Sequence, residues 1–181
     1  MKSRKYSDNS IDHTRTSNPC TCESSNLPSI EDFPFDKIEL MFIDLVRCIG
    51  TGYASGEIVG WQHAMNVAED RVGPIDGPTF FGRILSLMRA LQFERHTGFC
   101  FMAPGCSKIS NDELSLVQIV QAARSGSDHK LNGALLTFTT TPQPARTALA
   151  AKALAGLCAW YDDASKSNFS HHSQHPHRVI H

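Results

Sequence analysis

No run in this 181-residue sequence approaches the ~18 to 20 consecutive apolar residues that span a bilayer. A membrane-crossing helix is therefore not expected. Neither charge is in excess: 17 Lys and Arg stand against 18 Asp and Glu, a net charge of -1. A near-neutral chain sets up no broad field to gather nucleic acid or an anionic membrane, so neither is expected as a partner. Also missing are a phosphate-cradling glycine loop of the Walker or dinucleotide type, a Gly-x-Ser-x-Gly nucleophile elbow and a His-Glu-x-x-His helix. These absences leave no residue set with a catalytic role and no organic cofactor to assign. The basic start, Met1 to Tyr6, is followed by no apolar h-region, so a secretory leader is not expected and the chain reads as cytoplasmic.

Residues 1–32 and 165–181 are rich in Ser, Asn, Thr and charge and hold few large apolar side chains. Such segments bury too little surface to offset their ordering entropy, so both read as disordered tails around a single domain at 33–164. Within the domain helical spacing dominates. Ile38, Met41, Phe42, Leu45, Val46 and Ile49 recur at intervals of three and four, with Gly50 and Gly52 read as the stop. A second helix over 56–71 places Ile58, Trp61, Ala64, Met65 and Ala68 inward. The third, from about Pro78, carries Phe80, Phe81, Ile84, Leu85, Leu87, Met88 and Leu91, and is expected to be the most buried.

Ser110-Asn111-Asp112-Glu113 has the form of a capping box and opens a fourth helix that Ser125-Gly126 closes. A fifth over 129–138 buries Leu131, Leu135, Leu136 and Phe138. Pro144 opens an Ala-rich sixth, to about Asp163, with Leu149, Ala153, Leu154, Leu157, Cys158 and Tyr161 as its inner stripe. The fold class is all-α: a compact orthogonal bundle of about six helices with tails at both ends.

The six cysteines are Cys20, Cys22, Cys48, Cys100, Cys106 and Cys158. With no leader, a reducing compartment is expected. Cys48 and Cys158 fall in apolar helical patterns and read as core. The stretch His96 to Cys106 joins the third and fourth helices, and His96, Cys100 and Cys106 are a candidate metal set, for zinc or another transition metal or an iron–sulfur centre, with His129 or the terminal histidines to complete it. The spacing His-x3-Cys-x5-Cys lacks paired Cys-x2-Cys knuckles. It also suits an apolar connector whose cysteines pack beside Phe99, Phe101 and Met102, or a reversible Cys100–Cys106 disulfide.

Other features have ordinary readings. The histidines from His171 to His181 chelate metal in vitro or are simply solvated. The stretch Gly50 to Gly56 reads as a flexible connector, His63 as a surface histidine, and Arg83, Arg89 and Arg95 as a solvated row or a contact for phosphate or an acidic partner.

The run Phe101-Met102-Ala103-Pro104-Gly105-Cys106, the Ser110-to-Glu113 start after it and the Ile84-to-Leu91 helix before it resemble a family of small uncharacterised helical proteins from alphaproteobacteria. That resemblance covers about a quarter of the chain and implies a helical fold and a bacterial source, with no activity to carry over. Where those relatives hold several adjacent cysteines after Ala-Pro, this chain has Cys106 alone. The functional expectation is a non-enzymatic helical factor, regulatory or of assembly, that binds a protein partner or itself. Metal or iron–sulfur binding at His96, Cys100 and Cys106 is the alternative.

Overall fold

Asp36 starts the first helix. Its carboxylate accepts from the Glu39 N–H at 2.8 Å, and the Glu39 carboxylate accepts from the Asp36 N–H at 3.0 Å. The computed structural model, which describes residues 26–170, continues this as α1 (Lys37–Ser55). It is followed by α2 (Ile58–Val72), α3 (Gly77–Glu94), α4 (Asn111–Arg124), α5 (Asp128–Phe138) and α6 (Ala145–Ser170). The molecule is an all-α helical bundle, and among the described residues extended pairing is limited to one isolated bridge between Ser29 and Lys108. No helix among them is long and apolar enough to cross a membrane. Residues 1–25 and 171–181, which include Cys20, Cys22 and the histidine run, lie outside the described residues.

The glycines of α1 act differently from the expectation. Gly50 and Gly52 do not end the helix; they lie inside it, and the stop is Gly56, whose left-handed φ of 67° suits a residue with no Cβ. A Cβ on Gly50 would come within 2.9 Å of the Phe101 ring, and one on Gly60 of α2 within 2.7 Å of the Gly52 Cα. So α1 and α2 cross backbone to backbone at Gly52 and Gly60, while Gly50 seats Phe101. What reads as a flexible connector is a packing surface.

The core collects Phe42, Leu45 and Ile49 of α1, Phe80, Ile84 and Leu87 of α3, Leu116 and Ile119 of α4, Leu135 of α5 and Leu154 of α6. α1, not α3, is the most buried helix, because it packs against α2, α3 and α4 and also under the 95–110 loop. α3 and α6 run antiparallel: Glu94 at the end of α3 binds the start of α6, and Phe80 near its beginning meets Tyr161 edge-on at 5.8 Å.

Three phase assignments differ. Leu149 and Leu136, expected inside, are 72 % and 55 % exposed, and Ile58 lies on the side of α2 away from the Gly60 crossing and is also exposed. Two boundaries differ as well. Residues 28–30, expected in the tail, pair with the 107–109 loop, and α6 runs to Ser170.

Candidate functional site

A polar constellation deep in the molecule is built on Arg47, a buried cation in an otherwise apolar stripe of α1. It is 1 % exposed. Its Nε donates to Glu113 Oε1 at 2.7 Å and its Nη2 to Glu113 Oε2 at 3.1 Å, a two-pronged pair. The remaining donors reach the loop: Nη1 to the Cys106 carbonyl and Nη2 to the Lys108 carbonyl, both at 2.6 Å. Glu113 in turn accepts from the Met102 N–H at 3.0 Å and the Ser110 N–H at 2.9 Å. Two charges withdrawn from water are tolerable only when partnered this fully. Their joint effect is to fix the sixteen-residue connector 95–110 to α1 and α4 from both sides.

Asp112 secures the other edge of the same loop. Its Oδ2 accepts from the Cys100 N–H at 2.7 Å and its Oδ1 from Arg95 Nη2 at 2.8 Å. Arg95 lies over the Phe138 ring at 4.2 Å and near Phe99 at 5.8 Å, so this member of the arginine row is turned inward rather than offered to phosphate. Ser110 Oγ donates to the Cys100 carbonyl at 2.7 Å. The loop's tip, Ala103-Pro104-Gly105-Cys106, is a β-turn closed by the Cys106 N–H on the Ala103 carbonyl at 3.1 Å, with Gly105 at φ 79°. Pro then Gly is the residue pair a type II turn requires.

A second buried carboxylate, Glu94, caps α6 from outside its own helix. It accepts from the Arg146 N–H and the Thr147 N–H, each at 2.9 Å, and from Thr147 Oγ1 at 2.6 Å. Burial pushes its carboxyl up, but the Thr147 and Arg146 hydrogen bonds and the Arg146 charge outweigh that and hold it below the ordinary value. Both carboxylates are buried and hydrogen-bonded to backbone N–H groups of a neighbouring segment, an anchoring arrangement. A depression of about 250 Å³ beside Gly126 and Leu131 is bordered by the Asp128–Lys152 ion pair at 2.6 Å, both partners solvent-exposed.

The sequence-proposed ligands fall as follows. His96 is exposed beyond the end of α3, Cys106 half-buried at the turn, and Cys100 is disulfide-bonded. Its partner is not Cys106, which is a free thiol, so the Cys100–Cys106 bridge is not formed. Among the described residues no three His, Cys, Asp or Glu side chains converge as a metal cage requires. His63 and His129 are exposed. Cys48 is core: burial first, with the Asp44 charge, pushes its thiol up to about 11, against a smaller opposing pull from Arg47.

Elsewhere the surface departs from the ordinary. Phe93 on α3 and Leu149 and Trp160 on α6 are 66 %, 72 % and 54 % exposed. Arg146 stacks on the Phe93 ring at 5.1 Å and lies one turn before Leu149, so the two helices share this outer face. Comparison with family models, with curated proteins and with solved structures finds no match.

Proposed function

We propose that this chain is a cytoplasmic, non-catalytic assembly factor that docks a second copy of itself on the outer face of α3 and α6. The observation that carries the reading is the stripe Leu149, Ala153, Gly156, Trp160. Its spacing of four, three and four keeps it on one side of α6. Both bulky ends are exposed, and Gly156 between them has nothing within 4 Å of where a Cβ would sit. A glycine inside a helix costs about 0.5–1 kcal/mol relative to alanine. Among the described residues no neighbour in its own chain uses the space it leaves. Close approach of another helix would.

The stripe is also symmetric about its midpoint. A twofold-related copy running antiparallel sets Trp160 against Leu149 and Gly156 against Ala153, small residues at the crossing and large ones where the helices diverge. That self-complementarity is what an isologous interface needs. Phe93 widens the apolar surface onto α3, with Arg146 at its border. The metal alternative draws no support from a loop whose Cys100 sulfur is already bonded.

Size-exclusion chromatography with light scattering tests the proposal. The wild-type chain is expected to run as a dimer, and the double substitution Leu149→Glu with Trp160→Glu as a monomer of unchanged helical circular dichroism. A wild type that stays monomeric at about 100 µM, or a dimer indifferent to the two substitutions, would overturn it.

A further inference from the structure

We infer that Arg146 sets the direction in which two copies dock, its guanidinium held between the Phe93 ring of its own chain and the Trp160 indole of the other; this rests on the self-docking proposed above. Half of the sandwich is already in place. Arg146 is exposed, and its guanidinium lies over the Phe93 ring at 5.1 Å. The backbone beneath it is fixed, because the Arg146 N–H donates at 2.9 Å to Oε1 of Glu94, the residue next to Phe93. A planar cation held in this way loses little further freedom when a second ring closes on it.

The antiparallel course of α3 and α6 gives the level of this stack. Glu94 meets Arg146 and Thr147, and Phe80 meets Tyr161. Each step back along α3 therefore matches about one step forward along α6, which sets Phe93 level with Ala148, next to Leu149. In the antiparallel pair of α6 helices, Leu149 is the residue that Trp160 of the second copy faces. The indole thus arrives at the level of the Arg146–Phe93 stack.

The side agrees as well as the level. At roughly 100° per residue, Trp160 is turned about 40° from Arg146 around α6, and about 80° from Lys152. Arg146 marks the side of α6 that α3 occupies, and Lys152, paired with Asp128, marks the side of α5. A twofold axis normal to both α6 helices keeps the α3 helices of the two copies on one side of the pair. Trp160, 54 % exposed in its own chain, is therefore turned toward the other copy's Arg146. Indole is the ring that binds a cation best, and symmetry forms the sandwich twice. Parallel docking would instead set Trp160 against Trp160 and Arg146 against Arg146, like charge against like charge.

Within one chain Arg146 and Trp160 stand fourteen residues apart, ~21 Å along α6 at 1.5 Å per residue, too far to touch. Any coupling between them in the affinity of the pair must cross from one chain to the other. A double-mutant cycle on the full chain measures that coupling, with the dissociation constant of the pair read by sedimentation velocity for wild type, Arg146→Gln, Trp160→Leu and the two together.

Each single substitution should raise the dissociation constant at least tenfold, and the double variant should stay within about threefold of the larger single effect. Trp160→Phe, which keeps a ring, should lose less than Trp160→Leu. Arg146→Gln leaves the backbone N–H on Glu94 and Trp160 is exposed, so both variants should keep the helical circular dichroism of wild type. A wild type that pairs while the two effects simply multiply would overturn the sandwich and leave self-docking standing. A wild type that does not pair at all would overturn both.

Discussion

Two regions of the helix bundle break the usual segregation of side chains in opposite directions. Around Arg47 and Glu113 charge is buried, and each group is bonded: the carboxylate accepts from a guanidinium and two backbone N–H groups, and the guanidinium reaches two loop carbonyls as well. Along α3 and α6 large apolar groups are exposed and lean on little within the chain. The first region is complete in itself, and the second is not. A buried polar network that is fully satisfied specifies the position of its loop. An apolar face left open is what the proposed self-docking would cover. The contrast is what separates the anchoring machinery of this protein from its proposed working surface.

Breaking the complete region should have the largest effect. Arg47→Met removes one partner of a buried pair and strands the Glu113 carboxylate, which is expected to cost about 3–5 kcal/mol. Thermal denaturation should read this as a fall of roughly 10 °C or more. Glu94→Gln comes next, at about 1.5–3 kcal/mol, since charge-assisted bonds to the start of α6 become neutral ones. Its pH signature is distinctive. The carboxyl has a lower pKa folded than unfolded, so its stabilisation is complete above the unfolded value of roughly 4.3 and is lost as the pH falls through the folded one. Wild type and variant should therefore converge in stability in acid below that value and diverge towards neutrality, in denaturant titrations run across the range.

Two glycines sharpen the comparison, because the same substitution should act with opposite sign in the two regions. At Gly50 an added methyl meets the buried Phe101 ring at 2.9 Å. Gly50→Ala is expected to lose about 1 kcal/mol once the gain in helix propensity is subtracted. At Gly156 the space is open. Gly156→Ala should stabilise the isolated chain by up to about 0.5–1 kcal/mol in dilute denaturant melts. At concentrations where the copies associate, the same methyl should weaken the pairing.

How much of this was legible in the sequence follows the same division. The helices and the class of fold come from apolar spacing, and the start of α4 from its capping box, in which the Ser110 side chain and Glu113 behave as the pattern requires. Periodicity says nothing, however, about a partner 66 residues away. The role of Glu113 in holding Arg47 was invisible, although a cation at i+4 from Ile43 and i−3 from Gly50 on a buried arc was a usable signal. Gly50 and Gly52 were misread because glycine ends helices and also lets them touch; only the facing Phe101 and Gly60 decide between the two. Leu149 was placed inside because an Ala-rich helix offers little contrast between one phase and another. The oxidation of Cys100 was equally hidden, since its sequence neighbour Cys106 was the obvious partner and is a reduced thiol.

The open face is tested most directly by the dependence of melting temperature on protein concentration, since association of folded copies raises the midpoint by mass action. Between about 1 and 100 µM, wild-type protein should melt several degrees higher at the upper concentration, and the Leu149→Glu, Trp160→Glu chain should show no such rise. A wild-type midpoint that does not move with concentration would contradict self-docking on α3 and α6.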